Sequence, residues 1–341
     1  MTQSVLSSFL AQSDEIETVF KQFQEKKNLH AYLISGEKGF GKRTLADLLS
    51  SALLCSSADT RPCGICKNCI LSEKHEHPDL IIIDQGIPLA QNVKKDRATI
   101  PVEDIREMIR LCGVRSTEGN NHVVLIHHAD KMTVQAQNCL LKTLEEPPPD
   151  TCIILTTEHP EVLLPTIQSR CGRIRLKAWK DSYIFDVLSD RGIPTEKIHP
   201  SVFASDGSIG RAIEIASDND FWKLRDEVME RFFRCTSRSE VLAVSGSWKD
   251  RKQDAEMIFK IIGQYVSMLS EARFFPQKQV DLSAFPDHWK RFSAESSLQG
   301  FVILSDAVSE ALNQLQYSVN FQAIVEKALF IFMGEGNKWL Q

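Results

Sequence analysis

Four cysteines with the spacing of metal ligands are the first residues in this sequence that could do chemistry. Cys63, Cys66 and Cys69 are separated from one another by two residues, and Cys55 precedes them. This spacing lets consecutive thiolates turn toward one tetrahedral ion, and a closed four-thiolate site has no open position for catalysis. The segment therefore predicts a structural zinc site formed by Cys55, Cys63, Cys66 and Cys69.

Other interpretations of these thiols stay open. His75 or His77 could replace Cys55 as the fourth ligand, and the thiols could also be unligated. An iron–sulfur cluster is a rival, but the run lacks the C-x3-C-P ending of bacterial ferredoxins. The remaining five of the nine cysteines are scattered, mostly beside apolar residues, which is typical of small buried hydrophobic side chains. The odd count favours a reducing compartment, hence the cytoplasm.

A second pattern is a glycine-rich loop that follows an apolar run and opens an amphipathic stretch. It reads Gly36-Glu37-Lys38-Gly39-Phe40-Gly41-Lys42-Arg43-Thr44. Glycines let a backbone wrap phosphate oxygens, while a helix N-terminus and a lysine supply positive potential. The pattern G-x4-G-K therefore predicts a phosphate-binding loop built from Gly36, Gly39, Gly41, Lys42, Arg43 and Thr44.

Two departures predict that this loop does not turn over Mg–ATP. Arg43 stands where a Ser or Thr hydroxyl would hold Mg²⁺, and Thr44 lies about 100° further round the helix. The third apolar run ends in His127-His128, where acidic residues for the metal and the attacking water are expected. Neutral imidazole is a poor ligand for Mg²⁺. Asp130 follows in a loop and is interpreted as a turn or capping residue.

The elements that must position these residues alternate along the first half of the chain. The strands are predicted at 31–35, 80–84, 123–126, 152–156 and 173–176, and the helices between them at 42–54, 102–112 and 133–145. Continuous apolar strands that alternate with helices indicate a parallel sheet covered on both faces. After about Lys177 the pattern is helical, at 181–191, 197–204, 208–216, 255–274 and 300–333, the last broken near Tyr317-Ser318.

Composition excludes several classes of protein. The chain has 341 residues, 43% of them hydrophobic, and a formal net charge of −5. This length suggests two or three domains with real cores, and this composition excludes a disordered or collagen-like chain. No apolar run approaches the ~20 residues that span a bilayer, and the start lacks a basic signal region. The negative charge argues against coating nucleic acid through bulk positive charge.

Four features occur in order along the chain. They are the near-complete phosphate loop, the cysteine knuckle, the run Asn138-Cys139-Leu140-Leu141-Lys142-Thr143-Leu144-Glu145-Glu146-Pro147-Pro148 and the triplet Ser169-Arg170-Cys171. Together they resemble the bacterial clamp-loader AAA+ proteins of DNA polymerase III, over most of residues 20–215. The helical C-terminal third is compatible with that family but carries no motif of its own.

This resemblance implies a domain order. It implies an α/β AAA+ parallel-sheet domain with an inserted zinc knuckle, a small helical lid domain and an all-α C-terminal collar domain that holds an oligomer together. We place these domains at 1–177, with the knuckle at about 55–69, at 178–217 with three helices, and at 218–341.

The resemblance also assigns roles to single residues. The inserted knuckle is typical of the gamma/tau and delta-prime branches, and Arg43, His127 and His128 resemble the delta-prime branch, which is not a motor. Arg170 would then be an arginine finger in a neighbouring subunit's ATP site, where such a finger can be worth ~10³–10⁵ in rate. Thr156 and Arg211 match nucleotide-sensing positions, and whether this chain binds nucleotide is left open.

The implied partners are the gamma/tau and delta subunits, with the sliding clamp and primer–template DNA reached through the assembly, and no membrane. Such an assembly uses ATP to open the clamp and load it on primed DNA, as part of the DNA polymerase III holoenzyme at the cytoplasmic replisome. Two other classes remain open: an active AAA+ motor ATPase, favoured by Lys42 and Arg211, and a free-standing zinc module that binds nucleic acid.

Overall fold

The chain forms two compact units. The computed structural model describes residues 2–340 except 26, 58–59, 87–88, 91–97, 115, 118–120, 279 and 318. One unit comprises Met1–Trp179 with Ser208–Gly210, and the other comprises Lys180–Gly207 with Arg211–Gln341. The finer division into a lid at 178–217 and a collar at 218–341 stays a prediction. Among the described residues, no helix is long and apolar enough to cross a membrane.

The first unit is a five-stranded parallel sheet with helices around it. Its strands are β1 Ala31–Ser35, β2 Leu80–Ile83, β3 His122–Ile126, β4 Thr151–Thr157 and β5 Gly172–Arg175. Its helices are α1 Thr2–Leu10, α2 Asp14–Gln24, α3 Lys42–Leu54, α4 Lys67–Glu73, α5 Val102–Cys112, α6 Val134–Glu145 and α7 Pro165–Gln168. The strand order is β2-β3-β4-β1-β5. The parallel sheet and its five strands are therefore confirmed, within two residues at each end.

Strand burial explains why the apolar runs were continuous. Every residue of β3 and β4 is buried, because helices cover both faces of these central strands. In the register, Ser35 at the end of β1 lies opposite Thr157 of β4 and Arg175 of β5. The phosphate loop after β1 and the polar residues after β4 therefore emerge at the same edge of the sheet, where ligands of parallel sheets bind.

The two helices before β1 were not predicted. Helix α2 begins at an N-cap, where the Ser13 side chain accepts a hydrogen bond from the Glu15 N–H. Phe9 of α1 is buried, and its ring packs edge-on against Trp179 with centroids 5.1 Å apart. Phe23 of α2 packs in the same manner on Tyr32 of β1, at 5.5 Å. These aromatic contacts hold the N-terminal segment against the sheet and the phosphate loop.

The second unit is entirely helical in the part of the chain that is described. Its helices are α8 Asp181–Asp190, α9 Thr195–Ala204, α10 Ile209–Ser217, α11 Asn219–Arg231, α12 Arg238–Trp248, α13 Ala255–Phe274, α14 Asp287–Glu295, α15 Leu298–Leu315 and α16 Phe321–Gly336. Residues 209–210, at the start of α10, are grouped with the first unit. The predicted long helix at 300–333 is two helices, and the break falls at Tyr317 as expected; Ser318 lies outside the described residues.

Aromatic side chains fill the core of this second unit. Phe232, Phe233, Trp248, Trp289 and Phe332 are buried and lie in mutual ring contact. The Trp289 Nε1–H donates to the Phe233 carbonyl at 2.8 Å, so its polar atom is satisfied inside the core.

Candidate functional site

The phosphate loop joins β1 to α3 through backbone conformations that favour glycine. Gly39 and Gly41 have φ angles of 79° and 92°, which a side chain would strain. Gly41 is also crowded, because a Cβ atom there would lie 3.0 Å from the Phe9 ring. The glycines that suggested phosphate binding are thus needed by the turn as well.

The carbonyl groups of this loop are held by other parts of the first unit. The Lys42 ammonium donates to the Gly36 and Glu37 carbonyls at 2.8 and 2.7 Å. The next three carbonyls accept from Ser208 Oγ (onto Lys38), Gly210 N–H (onto Gly39) and Trp179 Nε1–H (onto Phe40), each at 3.0 Å. Five consecutive carbonyls of the loop are therefore satisfied by protein donors, which restrain its conformation.

Lys42 also has a counter-ion within the protein. Its Nζ lies 3.3 Å from Glu158 Oε1, just after β4, and the lysine side chain is only 10% exposed. Burial lowers the pKa of Lys42, and the charge of Glu158 partly opposes that shift. The group that would pair with a phosphate is thus already neutralised by a carboxylate.

Arg43 is engaged in the same way, one residue further on. Its guanidinium forms an ion pair with Asp84, which directly follows β2. The other Asp84 oxygen lies 2.8 Å from His128 Nδ1 and accepts the Gln85 N–H at 2.8 Å. Asp84 is buried, where an unpaired charge would be costly, and these three contacts compensate its charge. The arginine at the Mg²⁺ position is therefore tied to the sheet.

His127, directly after β3, has a different partner from His128. It is buried, and its Nδ1 is 3.3 Å from the Thr156 hydroxyl. Burial, followed by the charge of Arg43, lowers the pKa of His127 to about 4. The imidazole is therefore neutral at pH 7, and the Thr156 hydroxyl is bonded to it.

Asp130 is a turn residue, as the sequence predicted, and its side chain also contacts β4. It lies in a short 3₁₀ helix at Ala129–Lys131, and its side chain is only 5% exposed. Its carboxylate accepts a hydrogen bond from the Thr157 hydroxyl at 2.8 Å, so it links the turn after β3 to the end of β4.

Sequence reasoning missed the two carboxylates that matter most at this edge, Asp84 and Glu158. The available signal was position, because each directly follows a strand of the parallel sheet. Which cation each would meet depended on the strand order. Thr44, by contrast, lies exposed on α3.

Arg211 belongs to the second unit. Its guanidinium donates to Asp206 at 2.7 Å, and both side chains are more than a third exposed. The role in nucleotide sensing that the resemblance implied for it stays a prediction.

The four predicted cysteines come together beside α3 and α4. Their sulfur atoms all lie within 4.8 Å of one another, with 4.0 Å between Cys55 and Cys66 and 3.9 Å between Cys63 and Cys69. Four thiolates about 2.3 Å from one tetrahedral zinc ion would lie roughly 3.8 Å apart. The cluster therefore has the size and the donor set of a tetrahedral thiolate site.

The surroundings of the cluster act on its thiols in opposite directions, since burial raises the pKa of Cys55 and Cys69 whereas hydrogen bonds lower that of Cys66. Burial opposes ionisation of Cys66, but hydrogen bonds from Ser56 and from the Cys69 N–H outweigh it and lower the pKa of Cys66 to about 6. The Asn68 amide donates to the Leu54 carbonyl at 3.1 Å, which fixes the knuckle to the C-terminal end of α3.

The two histidines considered as alternative ligands have other contacts. His75 Nε2 lies 3.0 Å from Asp47 Oδ1, and His77 Nδ1 accepts the Asp79 N–H at 3.1 Å. Among the described residues, the only metal-ligand group of three or more is the four-cysteine set.

Cys112, Cys152 and Cys235 are buried, as predicted, whereas Cys139, also predicted to be buried, is half-buried. Cys171 is buried as well. Burial raises the pKa of Cys171, in the Ser-Arg-Cys triplet, to about 12, so its thiol stays protonated.

Arg170, the middle residue of that triplet, lies at the surface just after α7. Its Nη2 is 2.8 Å from Glu145 Oε1 at the end of α6, and its Nη1 donates to the Thr166 carbonyl at 3.1 Å. The arginine side chain is 35% exposed, so part of the guanidinium faces solvent.

The comparisons with known proteins agree with this geometry. Residues 11–180 match the family described as "DNA polymerase III, delta subunit". The chain is 27% identical over 327 residues to the DNA polymerase III subunit delta' of Bacillus subtilis, covering 94% of this chain and 95% of that protein. It is 30% identical to the delta' subunit of Escherichia coli, over 63% of each chain. It is also 39% identical to the Escherichia coli tau subunit, over 44% of this chain and 22% of that protein.

Proposed function

The chain belongs to the DNA polymerase III delta-prime family, and we propose on this basis that it is a non-hydrolysing subunit of a clamp loader. In this role it is part of an ATP-driven assembly that opens the sliding clamp and places it on primed DNA. Its partners are the gamma/tau and delta subunits, since relatives of this chain carry the names delta', tau and gamma. It works in the cytoplasm, at the replisome.

The pairing of Lys42 and Arg43 with protein carboxylates carries the proposal that this chain does not hydrolyse ATP. Lys42 is paired with Glu158 and Arg43 with Asp84, so incoming phosphate oxygens would have to displace two ion pairs. At the end of β3, a buried neutral His127 and an Asp84-bound His128 replace the acids that hold Mg²⁺ and activate water.

Arg170 supplies the catalytic contribution of this subunit, as an arginine finger in trans. Its guanidinium is part-exposed just after α7. In this proposal it reaches the γ-phosphate bound by a neighbouring motor subunit. A fixed positive charge there stabilises the charge that develops on the transferred phosphoryl oxygens.

The cysteine cluster holds a structural Zn²⁺ ion in this proposal. Cys55, Cys63, Cys66 and Cys69 supply four thiolates, and the ion fixes the knuckle against the end of α3. A site closed by four protein ligands contributes folding energy rather than chemistry.

An ATPase assay on two samples tests the proposal. The isolated chain should show no Mg-dependent turnover, and hydrolysis that Lys42→Ala abolishes would overturn the proposal in favour of a motor ATPase. In a loader rebuilt with motor and delta subunits, Arg170→Ala should leave assembly intact but lower DNA-stimulated ATPase. Arg173→Ala is the matched control, because Arg173 is exposed nearby on β5. An unchanged rate with Arg170→Ala would remove the finger from the mechanism.

A further inference from the structure

Arg170 is held from two sides before any neighbouring subunit is present. Its Nη2 contacts Glu145 at 2.8 Å, and its Nη1 donates to the Thr166 carbonyl at 3.1 Å. A guanidinium carries five N–H donors in a fixed plane. A hydrogen bond at Nη1 and an ion pair at Nη2 therefore restrain the orientation of the group and leave other N–H donors for a ligand.

Hydrogen bonds and packing restrain the backbone around Arg170. Its N–H donates to the Ile167 carbonyl at 3.1 Å, and the next residue, Cys171, is buried in the core of the first unit. The Gln168 side chain donates to the Pro160 and Leu163 carbonyls at 2.8 and 3.0 Å, which fixes α7 from the other side. The remaining freedom lies in the long arginine side chain, whose end only Glu145 and Thr166 restrain among the described contacts.

Glu145 is itself well placed to restrain that side chain. It is the last residue of α6, and Leu144 before it is buried at 2% exposure. The ion pair is 35% exposed on the arginine and 47% on the glutamate, and pairs so exposed contribute little to stability. The contact therefore does more for the direction of the guanidinium than for the stability of the fold.

We propose that Glu145 is a positioning residue that orients Arg170 for catalysis in the neighbouring subunit. The inference rests on the proposed function, in which Arg170 acts in trans. An arginine that must reorient during each turnover stabilises the transition state less than an arginine whose orientation is preorganised. Glu145 does not touch the nucleotide in this scheme; it acts only through Arg170.

The test uses the rebuilt loader with the full chain, the clamp and primed DNA. The measured quantity is the part of kcat for ATP hydrolysis that depends on Arg170, which is the wild-type rate minus the Arg170→Ala rate. Glu145→Ala should lower this part about tenfold, the order at which loss of an outer partner of a catalytic group acts. The KM for ATP should not change. Glu145→Gln keeps the size but not the charge of the side chain, so its Arg170-dependent part of kcat should lie between those of the wild type and Glu145→Ala.

Two comparisons separate positioning from a merely structural effect. Glu146→Ala is the matched control, because Glu146 is the adjacent exposed glutamate, and it should keep the wild-type rate. The double variant Glu145→Ala/Arg170→Ala should match Arg170→Ala alone, since residues that act as a unit are not additive. A double variant slower than Arg170→Ala would show that Glu145 acts by another route and would overturn the inference.

The two proposals can fail separately. If Arg170→Ala lowers the rate while Glu145→Ala and Glu145→Gln behave as wild type, the finger stands and the positioning role is wrong. If Arg170→Ala itself has no effect, the proposed finger is wrong, and the positioning role falls with it.

Discussion

The Lys42 ammonium of the phosphate loop lies 3.3 Å from a carboxylate oxygen of Glu158, a residue 116 positions later in the chain. The same ammonium donates to two carbonyls of its own loop, Gly36 and Glu37. With these three partners the charge of the lysine is balanced inside the protein. The first prediction follows from the pairing of Lys42 with Glu158.

Removing the counter-ion should destabilise the first unit. Glu158→Gln leaves the mostly buried ammonium of Lys42, whose pKa burial already lowers, without its carboxylate. We expect a loss of about 1–2 kcal/mol in the free energy of unfolding, measured by urea denaturation at pH 7. Glu161→Gln is the control, because the Glu161 side chain is 69% exposed and should cost less than about 0.5 kcal/mol. Equal losses in the two variants would contradict the argument.

The cysteine cluster should bind about one zinc ion per chain. Metal analysis of the purified chain should find it, and Cys66→Ser should lose most of it because three thiolates bind less tightly than four. Cys139→Ser, outside the cluster, should keep the metal. A purified native chain with no zinc, in which all four clustered thiols react freely with an alkylating reagent, would refute the site.

The buried His127 should make the fold sensitive to mild acid. Its folded-state pKa is lowered to about 4, whereas an unfolded histidine has a pKa of about 6.5. Between these two values the unfolded chain binds more protons, so stability is full above about pH 6.5 and falls as the pH drops toward 4. The loss attributable to His127 is up to about 3 kcal/mol.

Urea unfolding at a series of pH values measures this loss. His127→Gln removes the titrating group and should flatten the stability curve between about pH 4 and 6.5. Replacement of the exposed His159 by Asn is the control. A curve for His127→Gln as steep as the wild-type curve would show that other groups cause the acid sensitivity.

Gly210 packs so closely against the phosphate loop that a side chain at this position should be destabilising. A Cβ atom at Gly210 would lie 2.8 Å from the Gly39 Cα, and the Gly210 N–H donates to the Gly39 carbonyl. Gly210→Ala should therefore lower the free energy of unfolding by about 1–3 kcal/mol, the usual cost of forcing atoms into a packed contact.

Substitution of Gly246 by alanine should change the free energy of unfolding in the opposite direction. It lies within α12, and a Cβ atom there would meet nothing within 4 Å. Gly246→Ala should stabilise the chain by about 0.5–1 kcal/mol, because alanine costs less backbone entropy in a helix. Thermal unfolding of the Gly210→Ala and Gly246→Ala variants tests both predictions. If Gly210→Ala stabilised the chain, the phosphate loop would be able to move away from the new side chain without cost.

Sequence alone located the features that depend on local spacing. The glycines before Lys42, the spacing of Cys63, Cys66 and Cys69, and the apolar strands are patterns of neighbouring residues, so they can be recognised before any fold is known. The physical reason is that a turn, a helix or a metal knuckle is set by residues within a few positions of one another.

Tertiary structure decided which distant residues meet. Asp84 pairs with Arg43, and Glu158 pairs with Lys42, because the order β2-β3-β4-β1-β5 brings the carboxyl ends of these strands to the loop. The spacing of residues along the chain does not reveal that order, since non-local pairs depend on how strands are arranged in the sheet. The contact between Glu145 and Arg170 is of the same kind, because it joins the end of α6 to the residues after α7. The sequence thus determined where the chemistry could be, and the fold decided which of those groups are already engaged.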